Sequence, residues 1–243
     1  MNQQNSLPDI KLSSQSDDLF NNYINATENL CLYLREYEGI DTYALPEFQY
    51  HFVKEKFLRF SPEVQLQKIN NFESYYELCR EIVMKGRKLS EKVHCLKSFL
   101  SKYSLSIPDE SEVIETIDND TFIEVYDNKF TQVFRSADFL KVTNHGLMAL
   151  EICEWFDLFQ RSKDLTSDQI EVVTKVFDGT IKLPLFKPLE DHSVKEINSG
   201  KPKVSQAEIV LYSPIFGADN LFHGILHVFK VKSVQPLDFQ VVK

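Results

Sequence analysis

The stretch that most constrains this fold is residues 208–232, EIVLYSPIFGADNLFHGILHVFKVK. Two runs rich in β-branched and aromatic residues flank a short polar turn, the pattern of two long paired strands. Along the second run, Ile225, Phe229 and Val231 share one face, and Leu226 and Val228 share the other. An antiparallel strand with one wet face alternates apolar with polar residues. Apolar residues on both faces require cover on both sides, from helices of the same chain or from a second copy. Contact between the N-terminal helices and this sheet, or a homodimer, is therefore expected.

The N-terminal half follows helical spacing. Phe20, Tyr23, Ile24, Thr27, Cys31 and Leu34 recur at three- and four-residue intervals from Ser16 onward, with Gly39 past the end. Pro46 is suited to open a second helix. Ser61-Pro62-Glu63 is a start signal for a third, with a capping hydroxyl, a proline at the first helical position and an early acid. Gly86 ends that helix, and Ser90 is the expected cap of a fourth carrying Val93, Leu96, Leu100 and Tyr103 on its core face. The expected order is a flexible tail (1–15), a four-helix bundle (16–106), a linker (107–120), a sheet domain (121–235) and a C-terminal tail (236–243).

After Pro108 the grammar changes. FIEVYD and KFTQVF read as strands separated by the turn pair Asp127-Asn128. Brief helical segments follow around 136–143, 147–150 and 153–161. A longer helix is expected over 167–177, with Thr166 and Gln169 as a capping box. TIKLPLF (180–186) is a strand weakened by Pro184, and 187–203 reads as a long loop.

The segment FIEVYDNKFTQVFRSADFLKVTNHGLMALEICEWFDLFQRSKD (122–164) and the closing LYSPIFGADNLFHGILHVFKVK (211–232) resemble the two ends of a PAS domain. The likeness lies in Ser136-Ala137-Asp138-Phe139-Leu140 after the first hairpin, the turn Thr143-Asn144-His145-Gly146, the Trp155–Phe159 segment, and Ser213-Pro214 before the last turn. It departs where an asparagine often follows the second strand and where an Asp-x-x-Gly turn is usual. The resemblance implies an α+β fold: a five-stranded antiparallel sheet with short helices on one face. It also implies a sensor or interaction role. It leaves the ligand open, since PAS domains bind haem, flavins, small acids or nothing. Trp155, Phe159, Tyr212 and His227 are the residues it would bring to the cavity.

A second, shorter likeness concerns His94. The run VHCLKSFL (93–100) resembles the His-x-Leu-Lys signature of histidine phosphotransfer domains, with His94 as phosphoacceptor and Lys97 one turn away to neutralise a phosphoryl group. An ordinary surface histidine is the competing reading, because two bundle helices normally follow such a histidine and here Pro108 intervenes. His223 and His227 lie four residues apart on a strand, about 13 Å by strand rise, which is too far to share one ion.

The charge of −9 falls mostly on residues 109–243, where 14 Lys+Arg face 22 Asp+Glu. That balance argues against a nucleic-acid surface. Four dispersed cysteines without CxxC spacing behave as small hydrophobes. With neither a signal-peptide pattern nor a run long enough to span a membrane, a cytoplasmic location is expected. No nucleotide-cradling glycine motif or nucleophile elbow is present. The resulting expectation is a non-enzymatic signalling or regulatory protein with a PAS-like sensor or interaction domain coupled to a helical bundle, with a phosphotransfer protein of a two-component relay using His94 as an alternative. It would act through a protein partner, as a homodimer, with a small-molecule ligand as an alternative and no required cofactor.

Overall fold

A computed structural model of the chain describes residues 9–236. Helix α1 spans Asp9–Glu38, so the expected tail is shorter than 1–15; residues 1–8 and 237–243 of the two expected tails lie outside the described residues. A 3-10 turn (Glu47–Gln49) leads into α2 (Tyr50–Leu58). Helix α3 (Pro62–Met84) starts where its signal predicts: the Ser61 hydroxyl accepts the Val64 N–H and Pro62 occupies the first turn. It ends at Gly86, whose φ of +74° is a left-handed stop. Helix α4 (Lys92–Lys102) is preceded by Glu91 rather than capped by Ser90. Its buried stripe is Lys92, Cys95, Leu96, Phe99 and Leu100, which leaves Tyr103 41% exposed instead of in the core.

The region expected as a linker is structured. Strand β1 (Leu105–Ser106) pairs with the end of a later strand, and α5 (Glu110–Glu115) buries Val113. Strands β2 (Thr121–Asp127) and β3 (Gln132–Arg135) form the first hairpin. Its turn is held by Asp127 Oδ1, which accepts the N–H groups of Lys129 and Thr131 at 2.8 Å each. A 3-10 turn (Ala137–Lys141), α6 (Leu147–Ile152), α7 (Trp155–Leu158) and β4 (Phe159–Gln160) follow. Helix α8 (Lys163–Phe177) begins earlier than expected, because Ser162 and not Thr166 is the cap: its hydroxyl accepts the Leu165 N–H.

Three further strands precede the last. Only β5 (Leu185–Phe186) of the TIKLPLF run pairs, and the segment expected as loop contains β6 (His192–Glu196). Its alternating burial, with His192, Val194 and Glu196 inward, carries a polar pattern that reads as loop in sequence. Strands β7 (Lys203–Gly217) and β8 (Phe222–Pro236) are the long pair announced by residues 208–232. The sheet therefore has eight strands rather than five among the described residues, because the two-residue strands β1 and β4 and the strand β6 join those expected.

The antiparallel order β3-β2-β8-β7-β6-β4 puts the last strand between β7 and β2. This explains the two-sided apolarity of β8: it is an interior strand with cover on both faces. At one point β8 meets β2 so closely that only glycine fits, since a Cβ on Gly224 would overlap the Tyr126 carbonyl oxygen. Strand β7 carries a bulge in which Val210 and Leu211 together oppose Val228. Ile209 and Tyr212, three apart, thus face the same side as Phe229 and His227.

The fold is α+β, and its C-terminal part runs hairpin, short helices, longer helix, then antiparallel strands, the order the PAS resemblance implies. The N-terminal helices pack on it. Phe134 of β3 meets Phe99 of α4 and Tyr75 of α3, with ring centroids 5.2 and 5.9 Å apart. The Tyr75 hydroxyl donates to the Arg135 carbonyl at 2.5 Å. Residues 43–49 dock on α6, where Leu147 and Met148 N–H groups donate to the Tyr43 and Ala44 carbonyls. The expected contact between helices and sheet is present, and the buried apolar residues make one continuous core. No helix among the described residues is long and apolar enough to cross a membrane.

Candidate ligand-binding face of the sheet

On β2, alternation sends Ile123 and Val125 to the face shared with Phe134, and Phe122, Glu124 and Tyr126 to the other. That second face carries the candidate site. Phe229 touches Phe122 and Phe139 (5.6 and 5.5 Å between centroids), and Trp155 stacks obliquely on Phe159 at 4.4 Å. Tyr212, His227 and Phe229 form a near-parallel stack with successive spacings of 4.8 Å. All four residues anticipated for a cavity, Trp155, Phe159, Tyr212 and His227, therefore fall within one aromatic cluster. They come from α7, β4, β7 and β8, brought together by the β7 bulge and by the pairing of β8 with β2.

At the centre of the cluster is a charged group that sequence reading missed. Glu124 has no exposed surface, and Arg135 and His227 are each 4% exposed. Arg135 Nη2 is 2.9 Å from Glu124 Oε1, and His227 Nδ1 donates to Glu124 Oε2 at 3.2 Å. The Tyr126 hydroxyl donates to the same Oε2 at 3.0 Å, and itself accepts from Trp155 Nε1 (2.7 Å) and Gln132 Nε2 (3.2 Å). Burial by itself would push the Glu124 carboxyl up, but Arg135 and then His227 outweigh it and hold the group down at about 2. A carboxylate thus stays ionised inside the core. In sequence, Glu124 alternates with Phe122 and Tyr126 on an otherwise apolar strand, and only the hairpin register sets Arg135 beside it.

Several atoms of this network remain unpaired, among them Oε1 of Glu124, which meets Arg135 as an ion pair without a hydrogen bond, and Oε1 of Gln132. His227 Nε2 is buried without a hydrogen-bond partner, as are Nε and Nη1 of Arg135. Nearby, the Arg161 guanidinium lies 4.5 Å above the Trp155 ring, and its Nε donates to His192 Nε2 at 3.2 Å. Gln169 of α8 donates to the Tyr212 hydroxyl at 2.8 Å, tying that helix to the stack. Burial pushes the Tyr212 phenol above the ordinary tyrosine range. The face is thus a packed set of aromatic rings around hydrogen-bond donors and one buried anion.

His94 lies elsewhere, in a groove of about 360 Å³ bounded by Ser90, Lys97, Asp118 and Asn119. Its side chain is half-buried and its Nε2 is enclosed without a partner. Lys97, one turn on, is exposed and lies 3.9 Å from Glu110. The cation in this region that is firmly held is Lys92, buried against Asp138 at 2.7 Å and bonded to the Asn119 and Thr121 carbonyls. His223 is on the same strand as His227 but apart from the cluster, 3.7 Å from Asp219.

No protein-family model matches the chain, and no curated protein matches it. Among solved structures, it is similar to the photo-excited blue-light photoreceptor Vivid, with 14% identity and a TM-score of 0.30 over 48% of this chain and 80% of that one.

Proposed function

We propose that the chain is a non-enzymatic signalling or regulatory module, in which the PAS-like sheet acts as sensor and the N-terminal helices as the responding surface for a protein partner. The observation that carries this reading is the sharing of Arg135. Its side chain belongs to the buried Glu124–His227 network, while its carbonyl accepts the Tyr75 hydroxyl of α3. A change in the network is thus felt directly at a helix of the N-terminal layer. Hydrogen exchange tests this. Glu124→Gln should alter protection along residues 62–84; unchanged protection there, with altered protection confined to the sheet, would refute the relay.

A second reading is favoured by the unpartnered Nε2 of His227, whose ring is stacked between Tyr212 and Phe229. It makes the module a small-ligand sensor whose ligand accepts or donates one hydrogen bond at that nitrogen. An absorbance scan and a native mass of the purified protein decide it: a co-purified adduct lost in His227→Phe supports the ligand, and a bare mass favours relay by contact alone.

A further inference from the structure

Between α3, β3 and α6 lies a chamber of about 10 Å³, lined by Asn71, Tyr75, Gln132, Arg135 and Glu151 among others. One water molecule needs about 10–15 Å³ and two to four polar partners. The lining supplies them. Asn71 Nδ2, Gln132 Oε1 and both Nε and Nη1 of Arg135 are buried without a hydrogen-bond partner. Gln132 and Arg135 are only 5% and 4% exposed, so these groups have no bulk solvent to turn to. Leaving several buried donors and an acceptor unpaired in one place is strongly disfavoured, since each loses its water without gaining a partner. Donors from α3 and β3 face an acceptor from β3 and the Glu151 carboxyl from α6, the complement that one tetrahedral water satisfies.

We propose that this chamber is a binding site for a single resident water, which accepts from Asn71 and Arg135 and donates to Gln132 and Glu151. The water joins three elements that have few direct polar contacts there. It also extends the Glu124–Arg135 network to α3 through hydrogen bonds, and the site stands whether or not the signalling reading holds.

A crystal structure of the full chain tests the assignment. The expected result is one isolated density peak at about 2.7–3.2 Å from Gln132 Oε1 and from at least one nitrogen each of Asn71 and Arg135. An empty chamber would overturn it, as would Asn71 and Gln132 turning to bond Arg135 directly. Asn71→Leu, with the same number and branching of heavy atoms but without the donor, is expected to remove the peak. In solution, magnetisation transfer from water to the Arg135 Nε–H should be present in the native protein and lost in this variant. Transfer that persists undiminished in Asn71→Leu, or is absent from the native protein, also counts against the site.

Discussion

Arg135 and Glu124 sit opposite each other on paired strands, 2.9 Å apart and almost wholly buried. Buried pairs of this kind contribute little net stability when compared with apolar replacements, yet removing one partner strands the other. Arg135→Met should therefore destabilise the fold by about 3–5 kcal/mol in a urea titration. The double variant Glu124→Leu/Arg135→Met should recover much of that loss. If the double variant is as unstable as the sum of the single ones, the pair is not the source of the effect.

Glu124 also sets an acid limb of stability. Its folded-state carboxyl is held at about 2, below the ordinary range near 4.5. The favourable contribution is complete above pH 4.5 and is lost as pH falls toward 2. Glu124→Gln should flatten the stability profile between those values, measured as the denaturation midpoint against pH.

Glu151 produces the opposite slope. Burial raises its carboxyl to about 7, against the pull of Arg135 on β3 and Lys68 on α3, and with repulsion from Glu124 on β2. A raised carboxyl favours the protonated folded state, so stability is highest below pH 4.5 and declines as pH rises toward 7. Glu151→Gln should be on the order of 2 kcal/mol more stable than the native chain at pH 8, with no such gain at pH 4. Equal gains at both pH values would show that packing rather than protonation is responsible.

Lys92 ties α4 to the start of β2. Its ammonium contacts Asp138, the Asn119 and Thr121 carbonyls, and the Phe122 ring at 5.1 Å. Lys92→Met keeps the stem and removes the cation, leaving these acceptors unpaired. A loss of about 3 kcal/mol is expected in thermal or chemical denaturation.

Gly224→Ala should weaken the β2–β8 seam. The added methyl meets backbone, which cannot rotate away. A fall of several degrees in Tm is expected, larger than for Gly179→Ala, where the site is open but the φ of +78° disfavours alanine.

Much of the architecture was legible because it rests on local signals. Ser61-Pro62, Gly86, Asp127 and the 208–232 run each act within a few residues of themselves. The elements that were missed depend on distant partners. Strand β6 exists because β7 offers it an edge, and α5 is too short to display a helical period. The aromatic members of the candidate face could be anticipated by residue type. Glu124 and Arg135 could not be recognised as a buried pair until the hairpin register set them side by side, since either alone reads as a surface charge.

The bulge at Val210 has a consequence for how this chain tolerates length changes. Because two residues of β7 are spent against one of β8, everything from Tyr212 onward is shifted by one position in its inside–outside phase. Removing Val210 would restore a regular ladder in which Ile209, Leu211 and Tyr212 still stand opposite Phe229, Val228 and His227, so the ring stack is kept. A single-codon deletion at this point is absorbed by the bulge, whereas one in a regular stretch of the strand would turn the residues beyond it to the opposite face.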